Sequence, residues 1–306
     1  MEVKKFIVEG KFGIELHCFG VFPDGDVKGS IVIFHGMGDH KERYLSFAKW
    51  MAKSGYAVFA HDHRKHGESI GEFDSVGVFT DADRWEYVID DAHYVVREVR
   101  TQLPDAPIIV LGHSMGSIIA RRYISKYTAL PKAAIIMGTL PIQTGGTIFA
   151  PLMLARIIKL FKKNQPSPFL AKLLNDPMVK TYKEPRTDFD WLTNDEKIVD
   201  KYIEDPLCGY PYSAKFYMEF FKGCAYINKS EIISETRNIP ILFISGKEDP
   251  VGNFGVGVDN VYQLYNGHGF FSLTYKLIPN ARHEILNELK KTDTYKYLLE
   301  WCDSVL

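Results

Sequence analysis

The sequence predicts an α/β fold: a mostly parallel central sheet flanked by helices, with a helical cap inserted into it. Three observations predict it. Short apolar runs alternate with amphipathic stretches as far as Thr139. The alternation then stops, and from Leu140 to Ile239 the chain is helical in pattern, aromatic and broken by prolines such as Pro151, Pro168 and Pro206. It resumes at Pro240 with two more strand-like runs and a closing helix. Residues 1–139 and 240–306 are therefore expected to form the core, and residues 140–239 the cap.

In order, Val3 to Glu9 and Ile14 to Phe19 are short strand-like runs separated by Gly10 to Gly13. Ser30 to Phe34 is continuously apolar, as in a strand buried on both faces. A helix is expected from about Tyr44 to Lys53, then a strand over Tyr56 to Ala60. The stretch Asp83 to Thr101 places Val88, Ala92, Val95 and Val99 on one helical face. Strand, helix and strand follow over Pro107 to Leu111, Gly116 to Lys126 and Lys132 to Met137. Strict alternation of this kind implies parallel strands with helical crossovers. Beyond the cap, Pro240 to Ser245 and Ser272 to Ile278 are strands, and Asp293 to Asp303 is a helix.

The bulk composition narrows the function classes. With 306 residues and 46% apolar content, the chain can bury one large core and an insertion. Its 37 basic residues nearly balance 38 acidic ones, so no global field draws it to nucleic acid. No run resembles a signal peptide or is long enough to span a bilayer, so a soluble cytoplasmic protein is expected. Cys18, Cys208, Cys224 and Cys302 are scattered, with no C-x-x-C pair, and are expected to be free thiols in a reducing compartment.

Gly112-His113-Ser114-Met115-Gly116 matches G-x-S-x-G and lies between an apolar strand and a helical run. That is the context the motif requires, because its serine occupies a strained strand-to-helix turn of the α/β-hydrolase sheet. A serine hydroxyl needs a base to act as a nucleophile. On this sheet the acid and then the histidine follow the serine along the chain. Only His268 and His283 follow Ser114. His283 comes after the last strand, at the carboxyl end where such sites collect, whereas His268 precedes that strand. The acid is expected in Gly246-Lys247-Glu248-Asp249-Pro250; Asp249 is favoured over Glu248 because Pro250 stiffens the turn that would hold it. Acyl transfer also needs backbone N–H groups aimed at the oxyanion. Met115, after the nucleophile, and Met37, in the loop after the early strand, are the expected donors.

Five segments together carry a family resemblance: His35-Gly36-Met37-Gly38-Asp39-His40, His61 through Ser69, Gly112 through Gly116, Gly246 through Asp249, and Ala281-Arg282-His283-Glu284. The chain resembles the monoacylglycerol lipase and lysophospholipase-like branch of the α/β hydrolases, grouped with serine aminopeptidase-like enzymes. The resemblance implies a Ser114, Asp249 and His283 triad, Met37 and Met115 as oxyanion donors, and a lid inserted after the sixth strand. It departs from the family at Lys65 and Ser117, where glycine is common.

Other groupings compete for function. His61-Asp62-His63-Arg64-Lys65-His66 resembles a binuclear metal motif, but Lys65 stands where an aspartate ligand is required, and a cation there repels metal. Neither a metal nor a cofactor is expected. Leu152 to Lys163 places Leu154, Ile157, Ile158 and Phe161 at helical spacing, with Arg156, Lys159, Lys162 and Lys163 as a basic face. This segment fits a lid helix in transient contact with lipid and fits packing on the core equally well. Phe216, Tyr217, Phe220 and Phe221 fit an acyl-pocket wall or ordinary packing. The expected function is hydrolysis of a small-molecule acyl ester, such as a monoacylglycerol or lysophospholipid. An amidase or proline-directed aminopeptidase on the same residues is the first rival, and a non-catalytic binding module the second.

Overall fold

Eight strands, counted among the described residues, make one sheet with β3 near its middle. They are β1 (Glu2–Glu9), β2 (Glu15–Phe22), β3 (Gly29–Phe34), β4 (Tyr56–His61), β5 (Ile108–His113), β6 (Pro131–Met137), β7 (Ile241–Gly246) and β8 (Leu273–Ile278). Their spatial order is β1-β2-β4-β3-β5-β6-β7-β8. The computed structural model describes residues 1–71, 75–142, 146–162 and 164–306. The helices are α1 (Leu45–Ala52), α2 (Trp85–Gln102), α3 (Met115–Lys126), α4 (Gly146–Lys162), α5 (Pro168–Val179), α6 (Glu196–Glu204), α7 (Ala214–Tyr226), α8 (Ser230–Ser234), α9 (Val256–Gly267) and α10 (Lys291–Val305).

The β1–β2 and β2–β4 pairings are antiparallel, and every pairing from β4 through β8 is parallel. The parallel strands β3 and β5 are buried at every position, which explains their unbroken apolar runs. Successive residues of β3 serve opposite faces. Val32 and Phe34 join one core cluster with Val88, Val95 and Ile119; Ile31 and Ile33 join the other with Phe47, Met51 and Leu298. Helices α2 and α3 therefore cover one face, and α1 and α10 the other. The expected stripe of α2 (Val88, Ala92, Val95, Val99) is wholly buried.

The chain crosses from β3 to β4 on one side and returns to β5 on the other. This reversal opens a crevice at the carboxyl ends of the strands. Between β6 and β7 the chain runs through α4 to α8. Ser213 anchors this segment: its Oγ caps α7 by accepting from Phe216 N–H at 3.3 Å, accepts from Phe79 N–H at 3.0 Å and donates to Phe79 O at 3.1 Å. Ser167 caps α5, and Pro168 follows at its first position, where a missing N–H costs nothing.

Two local features differ from expectation. A 3₁₀ turn, Lys41–Tyr44, precedes α1. Helix α9 fills a stretch where no helix is expected. Gly257 and Gly267 weaken local propensity there, but Val258, Val261 and Tyr265 pack into the core and stabilise the helix by tertiary burial. Among the described residues, no helix is long and apolar enough to cross a membrane.

Candidate active site

Ser114 sits between the end of β5 and the start of α3 with φ 54° and ψ −117°, a conformation a side-chain-bearing residue adopts only under constraint. The flanking glycines are part of that constraint. A Cβ on Gly112 would meet Gly116 O at 2.1 Å, and one on Gly116 would meet Phe34 O at 1.9 Å. Ser114 N–H donates to Met137 O at 2.9 Å, tying the turn to β6. The residue is partly exposed between the buried His113 and Met115. Its position before α3 adds the positive end of a helix dipole. Ser117 supports the turn from inside, donating to Ser114 O at 2.5 Å and bonding Thr139 Oγ1 at 2.9 Å.

Asp249 and His283 lie in the loops after β7 and β8 and meet directly. His283 Nδ1 is 3.0 Å from both Asp249 carboxylate oxygens. Asp249 also accepts from Ser245 Oγ at 2.7 Å and from Val251 N–H at 2.9 Å. Burial alone would raise the Asp249 carboxyl, but the His283 charge and these hydrogen bonds outweigh it, so its pKa is lowered. Burial would lower the His283 imidazole; Asp249, with Glu284 and Asp39, reverses that and raises it. The carboxylate that meets the imidazole is Asp249 and not Glu248, whose backbone N–H donates to Ala281 O and whose backbone carbonyl accepts from Tyr182 OH. His268 caps α9 and bonds Ser230 and Leu264 instead.

Ser114, His283, Met37 and Met115 line one cavity of about 700 Å³. Nδ1 of His283 is taken by Asp249, which leaves Nε2 as the nitrogen for a nucleophile. Among the described residues, no hydrogen bond joins Ser114 Oγ to His283 Nε2; in unliganded sites this link is often loose and tightens when substrate binds. Tyr217, Phe220 and Phe221 also line the cavity. Phe216 does not: it stacks on Tyr212 with centroids 4.0 Å apart.

The loop after β3 is held by groups that motif reading does not reveal. Asp39 accepts from Gly36 N–H at 3.2 Å, His40 N–H at 2.8 Å and Tyr44 OH at 2.7 Å. Tyr212 OH accepts from Gly38 N–H and bonds His66 Nε2 at 3.0 Å. Arg43 bridges Asp39 at 3.0 Å and pairs bidentately with Glu284 at 2.7 and 2.6 Å. Burial alone would raise both carboxyls, but the Arg43 charge holds Asp39 and Glu284 below the usual carboxylate range. His113 is driven down to about 4, chiefly by burial and then by His283, and so is neutral at pH 7. From the segment between β6 and β7, Trp191 packs against His283 with centroids 5.3 Å apart, and Glu284 N–H donates to Leu192 O at 2.7 Å.

The histidine-rich segment after β4 is packed interior. His35, His61, His63 and His66 are all buried, and burial lowers each pKa. His66 Nδ1 bonds Arg64 O and His63 Nε2 faces His35 O, but neither ring nitrogen of His61 has a hydrogen-bond partner. This segment is therefore in part an aromatic cluster, with His61 edge-on to Phe34 and His63. Lys65 has φ 63°, a left-handed backbone that glycine adopts without steric cost.

Comparison with known proteins adds to this geometry. A family model described as "Serine aminopeptidase, S33" matches residues 25–290. Monoglyceride lipase of Rattus norvegicus is 26% identical over 288 residues, covering 90% of this chain and 86% of that protein. The monoacylglycerol lipase of Mycolicibacterium smegmatis is 26% identical over 287 residues, covering 93% and 91%. The crystal structure of a thermostable carboxyl esterase from Bacillus coagulans, in complex with glycerol, matches with a TM-score of 0.91 and 26% identity, covering 100% of this chain and 99% of that one.

Proposed function

Because the chain belongs to the serine aminopeptidase family and has the α/β-hydrolase fold, we propose that it hydrolyses carboxylic esters through an acyl-enzyme on Ser114. One observation carries the reading: the constrained Ser114 and the Asp249-paired His283 face the same cavity. Ser114 Oγ attacks the acyl carbonyl while His283 Nε2 takes its proton. Met37 and Met115 N–H groups hold the oxyanion. The imidazolium, stabilised by Asp249, returns the proton to the departing alcohol. Water, deprotonated by the same nitrogen, then attacks the acyl carbon and releases the acid.

The cavity supports a substrate with a medium acyl chain, such as a monoacylglycerol, a lysophospholipid or a similar ester. Its volume falls in the range of small-molecule sites, and Leu174, Tyr217, Phe220 and Phe221 line it with apolar surface. A fluorophosphonate probe is expected to label the protein at Ser114 and to fail with Ser114→Ala. A p-nitrophenyl ester series of increasing acyl length is expected to pass through a maximum. Folded protein that resists the probe overturns the reading; aminoacyl anilides cleaved faster than esters replace it with an amidase.

A second reading concerns the cap. We propose that it touches a lipid surface during turnover, because Ile157, Leu160 and Phe161 on α4 and Phe169 on α5 are 49%, 79%, 83% and 62% exposed. Ala155 of α4 is fully buried, so the same helix also packs inward. Lys163 of the expected basic face lies outside the described residues. Four buried, free cysteines support a reducing compartment, the cytoplasm, as the place of action.

A further inference from the structure

Asp205 and Cys208 share one turn after α6. Cys208 N–H donates to Asp205 O at 3.0 Å, and Leu207 N–H to Asp205 Oδ1 at 2.9 Å. His40 approaches this turn from the loop after β3, with Nε2 2.9 Å from Asp205 Oδ2. One ligand atom from each of the three residues lies within 4.8 Å of the other two. We propose that His40, Asp205 and Cys208 form a binding site for a divalent cation of the zinc class, separate from the ester-cleaving groups.

The donor chemistry selects that class. Imidazole nitrogen, thiolate sulfur and carboxylate oxygen are the three ligand types zinc uses, whereas calcium and magnesium take oxygens. The spacing is nearly right. In a tetrahedral site with bonds of about 2.0 Å to nitrogen and oxygen, the two ligands sit roughly 3.3 Å apart, close to the observed separation. The sulfur needs to move inward by about 1 Å, within reach of a side-chain rotation. Among the charged groups acting on Cys208, the carboxylates of Asp39, Asp205 and Glu284 outnumber the guanidinium of Arg43, a local balance that favours a cation. His40 and Cys208 are 6% and 8% exposed, so the site is sheltered, while the partly exposed Asp205 side leaves a path for entry. Binding forms the metal–sulfur bond as the Cys208 thiol proton leaves to solvent.

The location gives the site a consequence. Gly209 N–H already donates to Gly38 O at 3.1 Å, beside Met37. Gly38, Tyr202 and Gly209 line the cavity. A bound cation fastens the α6 turn to the loop carrying Met37 and stiffens the cavity rim.

The test uses the full chain, stripped with chelator and kept reduced. Titration with Zn²⁺ is expected to give one ion per chain, and the melting temperature is expected to rise by roughly 5 °C at a large excess over Kd. Co²⁺ is expected to produce a thiolate-to-cobalt charge-transfer band. Cys208→Ser and His40→Gln are each expected to weaken Zn²⁺ binding at least about tenfold, and Cys208→Ser to abolish the band. Asp205→Asn replaces either variant should it fail to fold. Wild-type protein that binds no Zn²⁺, variants that bind it as tightly as wild type, or bound Co²⁺ without the thiolate band each overturn the proposal.

Discussion

His283 Nδ1 lies 3.0 Å from each of the two carboxylate oxygens of Asp249. The carboxylate therefore fixes both the orientation of the ring and its tautomer, and keeps the ring proton on Nδ1 rather than on Nε2. The same contact raises the imidazole pKa against the opposing effect of burial.

A base works only when neutral. The raised His283 pKa therefore places the rising limb of kcat/KM above the ordinary imidazole value of about 6.5. In Asp249→Asn the charge is gone and burial remains, so the limb is expected to move below that value. The rate is expected to fall by about 10⁴-fold from the wrong tautomer. A pH–rate profile of both proteins checks the direction of the shift.

Arg43 offsets two buried carboxylates, Asp39 and Glu284. Both have depressed pKa values in the fold, so their stabilising contribution is complete above the unfolded carboxylate range and is lost as pH falls through the folded values. Arg43→Met is expected to cost about 3–5 kcal/mol at neutral pH, because it leaves buried charge unpaired. The difference from wild type should shrink toward about pH 4, because the buried carboxyls left unpaired in the variant protonate over that range while those of wild type stay ionised. Urea unfolding at several pH values measures it.

Tyr212 OH is the acceptor for Gly38 N–H, next to the proposed donor Met37. Tyr212→Phe strands that buried N–H, at an expected cost of about 1–3 kcal/mol. The loop then loses one of its fixings, and kcat is expected to fall more than KM rises, since oxyanion contacts strengthen only in the transition state. Steady-state kinetics with one soluble ester separates the two parameters.

Leu160 and Phe161 are the most exposed of the described apolar side chains of α4. The double variant Leu160→Ser with Phe161→Ser is expected to keep its rate on a soluble short-chain ester and lose several-fold on dispersed or vesicle-bound monoacylglycerol, because each side chain buried in lipid contributes roughly 1.5–3 kcal/mol. Equal losses on both substrates would point to packing instead.

The primary structure alone specified the alternating sheet core, and it pointed to a helical stretch between the sixth and seventh strands and to Ser114, Asp249 and His283 as candidates at strand ends. Each of those signals is local: an apolar run of strand length, a G-x-S-x-G turn, an acid and a histidine closing successive strands. Contacts between distant segments carry no such signal. Arg43 and Glu284 are 241 positions apart, Gly38 and Tyr212 are 174 apart, and His40 and Asp205 are 165 apart. Helix α9 was hidden for a related reason, since its glycines lower local propensity and burial against the core supplies the compensation. The polar groups around the β3 loop are close only because folding buries them together. A buried polar atom must find a partner wherever the chain passes, and that choice belongs to three-dimensional packing.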